Sequence, residues 1–383
     1  MTKLGGAQDK MVTPKDKKPL IQMSDVTKVY RNAAGSFSAL KDINVNFYDG
    51  EFVGVIGKSG SGKSTLVNMI TGIDRPSNGV VLVEDRDIHA MKESEQARWR
   101  GLNMGVVFQF FQLLPMLTVL ENVLLPMDFC DKYDPAERPG RAMHLLEMMG
   151  VDDGSHKLPG SLSGGQQQSA AIARALANDP PIIVADEPTG NLDAKTADSV
   201  YDKFESLAGK GRTIIMITHD PEIEKRLSRT ILLSDGEVID PILANTFPWL
   251  PHPSLKNLGR ELERRTFTKG QEIDLTDRFV NKILLVEQGD VQLTYSKKPY
   301  KGQKIVLKTG AFFGGQAVIK SEKMHHFTAI ACAESTLVEI LPWEKLKNIL
   351  DDVEDGRQRF YRMMKAKMLG KEVKEEHETG VIR

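Results

Sequence analysis

The chain has 383 residues, with 51 Lys+Arg against 52 Asp+Glu, so no bulk positive field favours nucleic acid. That length admits two or three domains with sizeable cores, and 40% hydrophobic with 27% charged residues is an ordinary globular composition. Cys130 and Cys332 lie far apart, show no metal-ligand spacing and are expected to be reduced thiols. Residues 1–19 are polar, hold five lysines and read as a disordered basic leader rather than a secretory signal. The most apolar stretch, Met104 to Cys130, is interrupted by Gln109, Gln112, Pro115, Glu121, Asn122 and Pro126. A membrane-spanning helix needs about 20 predominantly apolar residues, so any membrane role is expected to be peripheral.

From about Leu20 to Ile242, short apolar runs alternate with helical patterns. Phe52–Ile56, Pro181–Ala185 and Thr213–Thr218 read as strands apolar on both faces, which suits a covered parallel sheet. The first strand runs into Gly57-Lys58-Ser59-Gly60-Ser61-Gly62-Lys63-Ser64 and then a helical pattern from Thr65 to Ile70. A glycine-rich turn between strand and helix presents backbone N–H groups and the positive helix end to a phosphate. Lys63 is placed to reach β- and γ-phosphates, and Ser64 to ligate Mg²⁺.

Between Ile88 and Leu158 the pattern is mostly helical. A second small-residue cradle, Leu162-Ser163-Gly164-Gly165-Gln166, also precedes a helix but contains no cation, as expected if it closes over a nucleotide held by another subunit. The strand Ile182–Ala185 ends in two adjacent carboxylates. Buried acids are costly unless paired or metal-linked, so Asp186 is read into a Mg²⁺ shell and Glu187 as the base that orients and deprotonates a water.

With these motifs in this order, residues 20–242 resemble an ABC-type ATPase cassette. The resemblance implies ATP and Mg²⁺ as ligands, bound through Gly57, Ser59, Gly60, Ser61, Gly62, Lys63, Ser64 and Thr65. Leu162–Gln166 matches the signature motif, so Ser163, Gly164, Gly165 and Gln166 are expected to meet ATP on a partner cassette. Gln109 matches the loop that senses Mg²⁺ and water, Asn191-Leu192-Asp193 the loop crossing the dimer seam, and His219 a γ-phosphate contact. Tyr30 falls where an aromatic stacks on adenine, although its amphipathic strand also suits a buried tyrosine. Where such cassettes usually continue with arginine after Gln166-Gln167-Gln168, this chain has Ser169; that arginine is thought to brace the signature helix.

The segments Phe108–Val123 and Asp186–Asp193 resemble cassettes paired with lipoprotein-releasing and macrolide-exporter permeases. This implies a peripheral subunit at the cytoplasmic face of the inner membrane, working as a head-to-tail pair of identical chains. Leu113–Leu125 is the expected contact with an integral membrane permease. A soluble ABC ATPase regulated by a ligand at its C-terminal domain is the alternative.

Four prolines between Pro241 and Pro253 mark a break, and residues 243–262 read as a linker. Beyond it, glycine-punctuated runs of period two, Ile283/Leu285 and Val291/Leu293/Tyr295, read as antiparallel strands. Residues 263–345 resemble a cyclic-nucleotide-binding β-roll. The turn that reads Phe-Gly-Glu in that family, with an arginine about ten residues later, is here Phe313-Gly314-Gly315 followed by His325 and His326. Losing two charge-assisted hydrogen bonds of about 1.5–3 kcal/mol each leaves a regulatory or docking domain, not expected to bind cyclic nucleotide. The expected fold is thus an α/β P-loop NTPase cassette, with a mixed sheet and helical subdomain. A small jelly-roll-like β-roll follows, and a charged helical segment over 346–383 ends the chain.

Overall fold

The computed structural model describes residues 18–32, 35–190, 192–218, 223, 226–275, 278–314, 318 and 327–368. Most of the basic leader, together with Asn191, His219, Gly315, His325 and His326, lies outside the described residues. The chain divides into two compact units, Met1–Val238 and Ile239–Arg383.

The first unit begins with β1 (Ile21–Asn32), β2 (Gly35–Phe47), β3 (Phe52–Ile56), α1 (Lys63–Thr71), β4 (Asn78–Val83) and β5 (Arg86–Asp87). Then come α2 (Glu93–Asn103), β6 (Met104–Val107), α3 (Val119–Cys130), α4 (Arg138–Met149) and α5 (Gly164–Ala175). β7 (Ile182–Asp186), α6 (Ala194–Gly209), β8 (Thr213–Thr218), β9 (Arg229–Ser234) and β10 (Glu237–Ile239) complete the run. Two sheets result, ordered β2-β1-β4-β5 and β10-β9-β3-β8-β7-β6. In the second, β9, β3, β8, β7 and β6 pair in parallel. All six residues of β8 are buried, as are the first four of β3 and of β7, which requires cover on both faces.

The helical insert is held by its caps and by one buried amide. Thr118 starts α3 in a reciprocal capping box with Glu121, and α4 ends on Gly150 in the left-handed region. The Asn122 side chain is fully buried; it accepts from Leu114 N at 2.8 Å and donates to the carbonyls of Leu114, Leu117 and Thr118. This pins the turn before α3 to its first helical turns.

The second unit contains α7 (Pro241–Thr246), α8 (His252–Gly259), β11 (Glu263–Thr268), β12 (Glu272–Ile273), β13 (Lys282–Gln288) and β14 (Val291–Tyr295). It continues through β15 (Lys304–Leu307), β16 (Phe312–Gly314), β17 (Phe327–Ala331), β18 (Ser335–Pro342), α9 (Trp343–Asp351) and α10 (Gly356–Met368). Its strands form two antiparallel sheets, β11-β18-β13-β16 and β12-β17-β14-β15, the small β domain expected. The run read from its prolines as a linker is instead folded. Asp240 caps α7 through Ile242 N and Leu243 N, proline occupies the first turn of both α7 and α8, and Phe247, Leu250, Leu255 and Leu258 are buried. Proline breaks a helix interior but suits its first turn, so these prolines mark two helix starts. Phe247 packs against Phe312 and Phe360, whose rings also stack on each other.

Across β11, β18 and β13, one guanidinium serves three acids. Arg264 Nε donates to Glu339 Oε1 at 2.8 Å and to Glu287 Oε2 at 3.2 Å, while Nη2 reaches Asp240 Oδ2 at 3.3 Å. Burial, together with the charges of Asp240 and Glu287, pushes the Glu339 carboxyl up to about 8, against the pull of Arg264. The folded chain therefore holds a proton that the unfolded chain releases near 4.5, so this group's contribution to stability declines as pH rises from 4.5 towards 8. Glu339→Gln is expected to flatten that decline and raise the melting temperature at about pH 8. Scanning calorimetry of the full chain across that range measures it, and an unchanged slope would contradict the assignment.

Candidate active site

β3 delivers the chain into a turn that only glycines can make. Gly62 has φ +102°, and a Cβ on it would stand 2.5 Å from the Ala39 carbonyl oxygen; a Cβ on Gly57 would stand 2.1 Å from that of Leu233. The loop wraps the side chain of Lys63, which is only 6% exposed. Its ammonium donates to the carbonyls of Gly57 at 2.8 Å and Lys58 at 3.0 Å. The Ser61 hydroxyl is buried in the same loop without a hydrogen-bond partner. A cradle of loop amides, one enclosed cation and an unsatisfied hydroxyl fits a polyphosphate.

β7 delivers the two carboxylates. Asp186 hydrogen-bonds Ser64; burial raises its carboxyl above the usual range, the Ser64 bond opposes that, Glu187 adds to it and Lys63 opposes it. Glu187 sits in the left-handed region at φ 45°, a conformation costing a non-glycine residue about 1–3 kcal/mol. Its N–H bonds the Ile217 carbonyl at 2.9 Å, and its Oε2 accepts from Gln109 Nε2 at 3.0 Å. Lys63 Nζ stands 3.9 Å from Glu187 Oε1. Five of the residues singled out in the sequence, Lys63, Ser64, Gln109, Asp186 and Glu187, therefore meet at one end of the parallel sheet. Arg174, on α5, was not anticipated: its guanidinium holds the carbonyls of Phe111 and Gln112, fixing the loop after Gln109.

The second cradle stands elsewhere. Ser163 caps α5 in a reciprocal box with Gln166, leaving the first-turn amides of Gly164 and Gly165 at the helix entrance. Asp193 caps α6 through Thr196. Ser163–Gln166, Asp193, Ser169 and Lys203 line a cavity of about 390 Å³, to which no residue of 57–65 contributes. Lys203 is a cation the sequence reading did not find.

Tyr30 lies on β1, partly exposed, with its hydroxyl donating to Asp74 at 3.0 Å and the Lys28 ammonium 4.8 Å from its ring centroid. Burial and the Asp74 bond raise the phenol above its ordinary range. Of the stretch 113–125, Val119, Asn122 and Val123 are buried, while Leu114, Met116 and Leu125 are exposed, Met116 at 74%. Phe110 at 71% and Phe129 at 64% add exposed apolar surface near that stretch in sequence.

A P-loop at the end of a parallel sheet, with a hydroxyl–carboxylate pair and a glutamate beyond it, defines a nucleoside triphosphatase. Comparison with known proteins narrows the class. The ABC transporter family model matches residues 40–190. An uncharacterized ABC transporter ATP-binding protein of Methanocaldococcus jannaschii is 47% identical over 223 residues, which are 58% of this chain and 99% of that relative. The macrolide export ATP-binding/permease protein MacB of Marinobacter nauticus is 43% identical over 64% of this chain but only 38% of its own length. A dimeric ABC transporter cassette in a post-hydrolysis state bound to ADP and Pi superimposes with a TM-score of 0.55 at 41% identity, covering 57% of this chain and 96% of that one. The chain belongs to the ABC transporter ATP-binding proteins, and its first unit carries their ATPase fold.

Gly57→Ala forces a methyl group onto the Leu233 carbonyl, and such overpacking costs about 1–3 kcal/mol. Thermal unfolding is expected to shift down, with ATP affinity falling alongside it in a fluorescent-nucleotide titration. An intact affinity would show that the loop tolerates a side chain at Gly57.

Proposed function

We propose that two copies of this chain close head-to-tail on ATP and drive a membrane permease of the lipoprotein-release or macrolide-export type. The observation that carries this reading is the separation of the two cradles. Lys63, Ser64, Gln109, Asp186 and Glu187 form one cluster, whereas Ser163 and Gly165 face a cavity that residues 57–65 do not line. In this reading a phosphate on Lys63 meets the signature segment of a second chain. The dimeric relatives and the MacB-like ones point the same way.

In this reading the loop amides of 57–62 and the Lys63 ammonium bind the β- and γ-phosphates. Lys63 exchanges two neutral carbonyl acceptors for anionic oxygens, which strengthens its bonds. Ser64 and Asp186 are hard oxygen donors already joined to each other and fit Mg²⁺, with Gln109 beside them. When bound, Mg²⁺ supplies charge neutralisation at the phosphate oxygens. Glu187 acts as the base: the Gln109 amide fixes its Oε2, and its carboxylate takes the proton of the attacking water. Tyr30 lies beside the adenine; Ser163, Gly164, Gly165, Gln166 and Asp193 meet the partner's nucleotide, and His219 contacts the γ-phosphate.

Among the described residues no helix is long and apolar enough to cross a membrane. Attachment is proposed to be peripheral, at the cytoplasmic face, through Phe110, through Leu114 and Met116 on the turn that Asn122 pins, and through Leu125 and Phe129 on α3. The second unit is proposed to regulate or dock, without binding cyclic nucleotide.

Glu187→Gln is expected to lower turnover by about a hundredfold or more, as removal of a general base does, and to leave an ATP-dependent dimer on size exclusion. Retained turnover would remove Glu187 from the proposed role. Introducing a charge into the apolar surface with Met116→Asp and Phe129→Asp should abolish co-purification with a permease from solubilised membranes. ATPase activity of the free chain should stay within about twofold, since neither side chain is in the nucleotide cluster.

A further inference from the structure

The position of Ser163 and Gly165 depends on how α5 is held, and a lysine on the neighbouring helix takes part in holding it. Val200, Phe204 and Leu207 form the buried face of α6, and Lys203 stands on the edge of that face. Its ammonium donates to Ser169 Oγ on α5 at 2.9 Å and to the Met149 carbonyl at 2.9 Å. Met149 is the last residue of α4, and terminal helix carbonyls lack intrahelical partners and carry the negative end of the dipole. One side chain thus ties together α4, α5 and α6.

Among the described residues no carboxylate lies within ion-pair distance of this ammonium. Burial penalises its charge and lowers its pKa, and neutral acceptors offset that only in part. An apolar residue at this edge position would avoid the penalty. The surroundings show what the charge accomplishes: Lys203 and Ser169 line the same cavity of about 390 Å³ as Ser163, Gly165 and Asp193. α5 and α6 also share an apolar core, with Ala170, Ile172 and Ala173 in the same buried cluster as Val200, Tyr201 and Phe204, but apolar burial is non-directional. The two hydrogen bonds of Lys203 add a directional tie beside the cavity.

We infer that Lys203 is a positioning residue that sets the angle of α5, and with it the placement of Ser163 and Gly165, for closure on a second chain's nucleotide. It supplies from α6 a cation that an arginine at position 169 would supply from α5 itself. This inference rests on the proposed head-to-tail closure.

The test measures ATP-dependent dimerisation by analytical ultracentrifugation in the Glu187→Gln background, with and without Lys203→Met. The expected result is dimerisation about tenfold weaker, equivalent to about 1.4 kcal/mol, with monomer ATP affinity unchanged in a fluorescent-nucleotide titration. Lys203→Arg should retain the dimer, and Ser169→Arg combined with Lys203→Met should regain it, because either restores a cation between α4 and α5. If Glu187→Gln itself fails to dimerise, head-to-tail closure and this inference fall together. If that variant dimerises and adding Lys203→Met changes nothing, only the inference falls. A parallel loss of thermal stability and monomer ATP affinity, not regained by Ser169→Arg, would overturn it in favour of a role in folding.

Discussion

The hydrogen-bond register of β3, β8, β7 and β6 decides which side chains meet at one end of the parallel sheet. Ile56 pairs with Thr218, Asp186 with Ile217, and Val107 with Ala185. In that register β3 runs out into the Lys63 loop, β7 into Glu187 and β6 towards Gln109, all at the same edge. A slip of one residue would turn each side chain to the opposite face. Pairing even extends one residue past β7, where Glu187 N–H bonds Ile217, and this helps hold Glu187 in its left-handed conformation. The strain there is thus supported by the sheet, whose centre is packed on both faces.

Charge at that edge is unbalanced, with two carboxylates against one ammonium. Asp186 and Glu187 stand beside one ammonium, and burial acts against the Asp186 carboxylate while Ser64 and Lys63 act for it. Such a site gains from an incoming cation and anion together, because each relieves a repulsion or desolvation the other would increase. A metal bound to triphosphate is that combination.

The parts of this arrangement legible in the sequence are those whose chemistry is local. The loop 57–64 makes its own cradle, and the strand Ile182–Asp186 places its acids by simply ending. β6 and β10 are among the strands not read from the sequence, being only four and three residues long, too short to carry a periodic signal. The prolines of 241–253 misled because composition does not distinguish a proline that stops a helix from one that starts it. Lys203 and Glu339 belong to no motif, and Asn122 lies in a segment read only as a permease contact. Each does interrupt an otherwise apolar face or run, and that interruption was the available sign of a buried polar junction.

Three cations show how partners determine what a charge in a fold can do. Arg264, itself half exposed, faces three acids, and burial with the neighbouring carboxylates raises the Glu339 carboxyl, so that cluster favours a proton over a further anion. Lys63 and Lys203 are both held largely by neutral acceptors, yet in different ways. The carbonyls around Lys63 come from its own loop, five and six residues away, so exchanging them for phosphate oxygens disrupts no tertiary contact. Those around Lys203 come from two other helices, 34 and 54 residues away, so releasing them would break tertiary hydrogen bonds to α4 and α5. Local acceptors leave a lysine ready to take a ligand; distant ones commit it to the architecture. By this reasoning the cation proposed to bind nucleotide and the one proposed to position the signature helix are distinguished by the sequence separation of the atoms they hold.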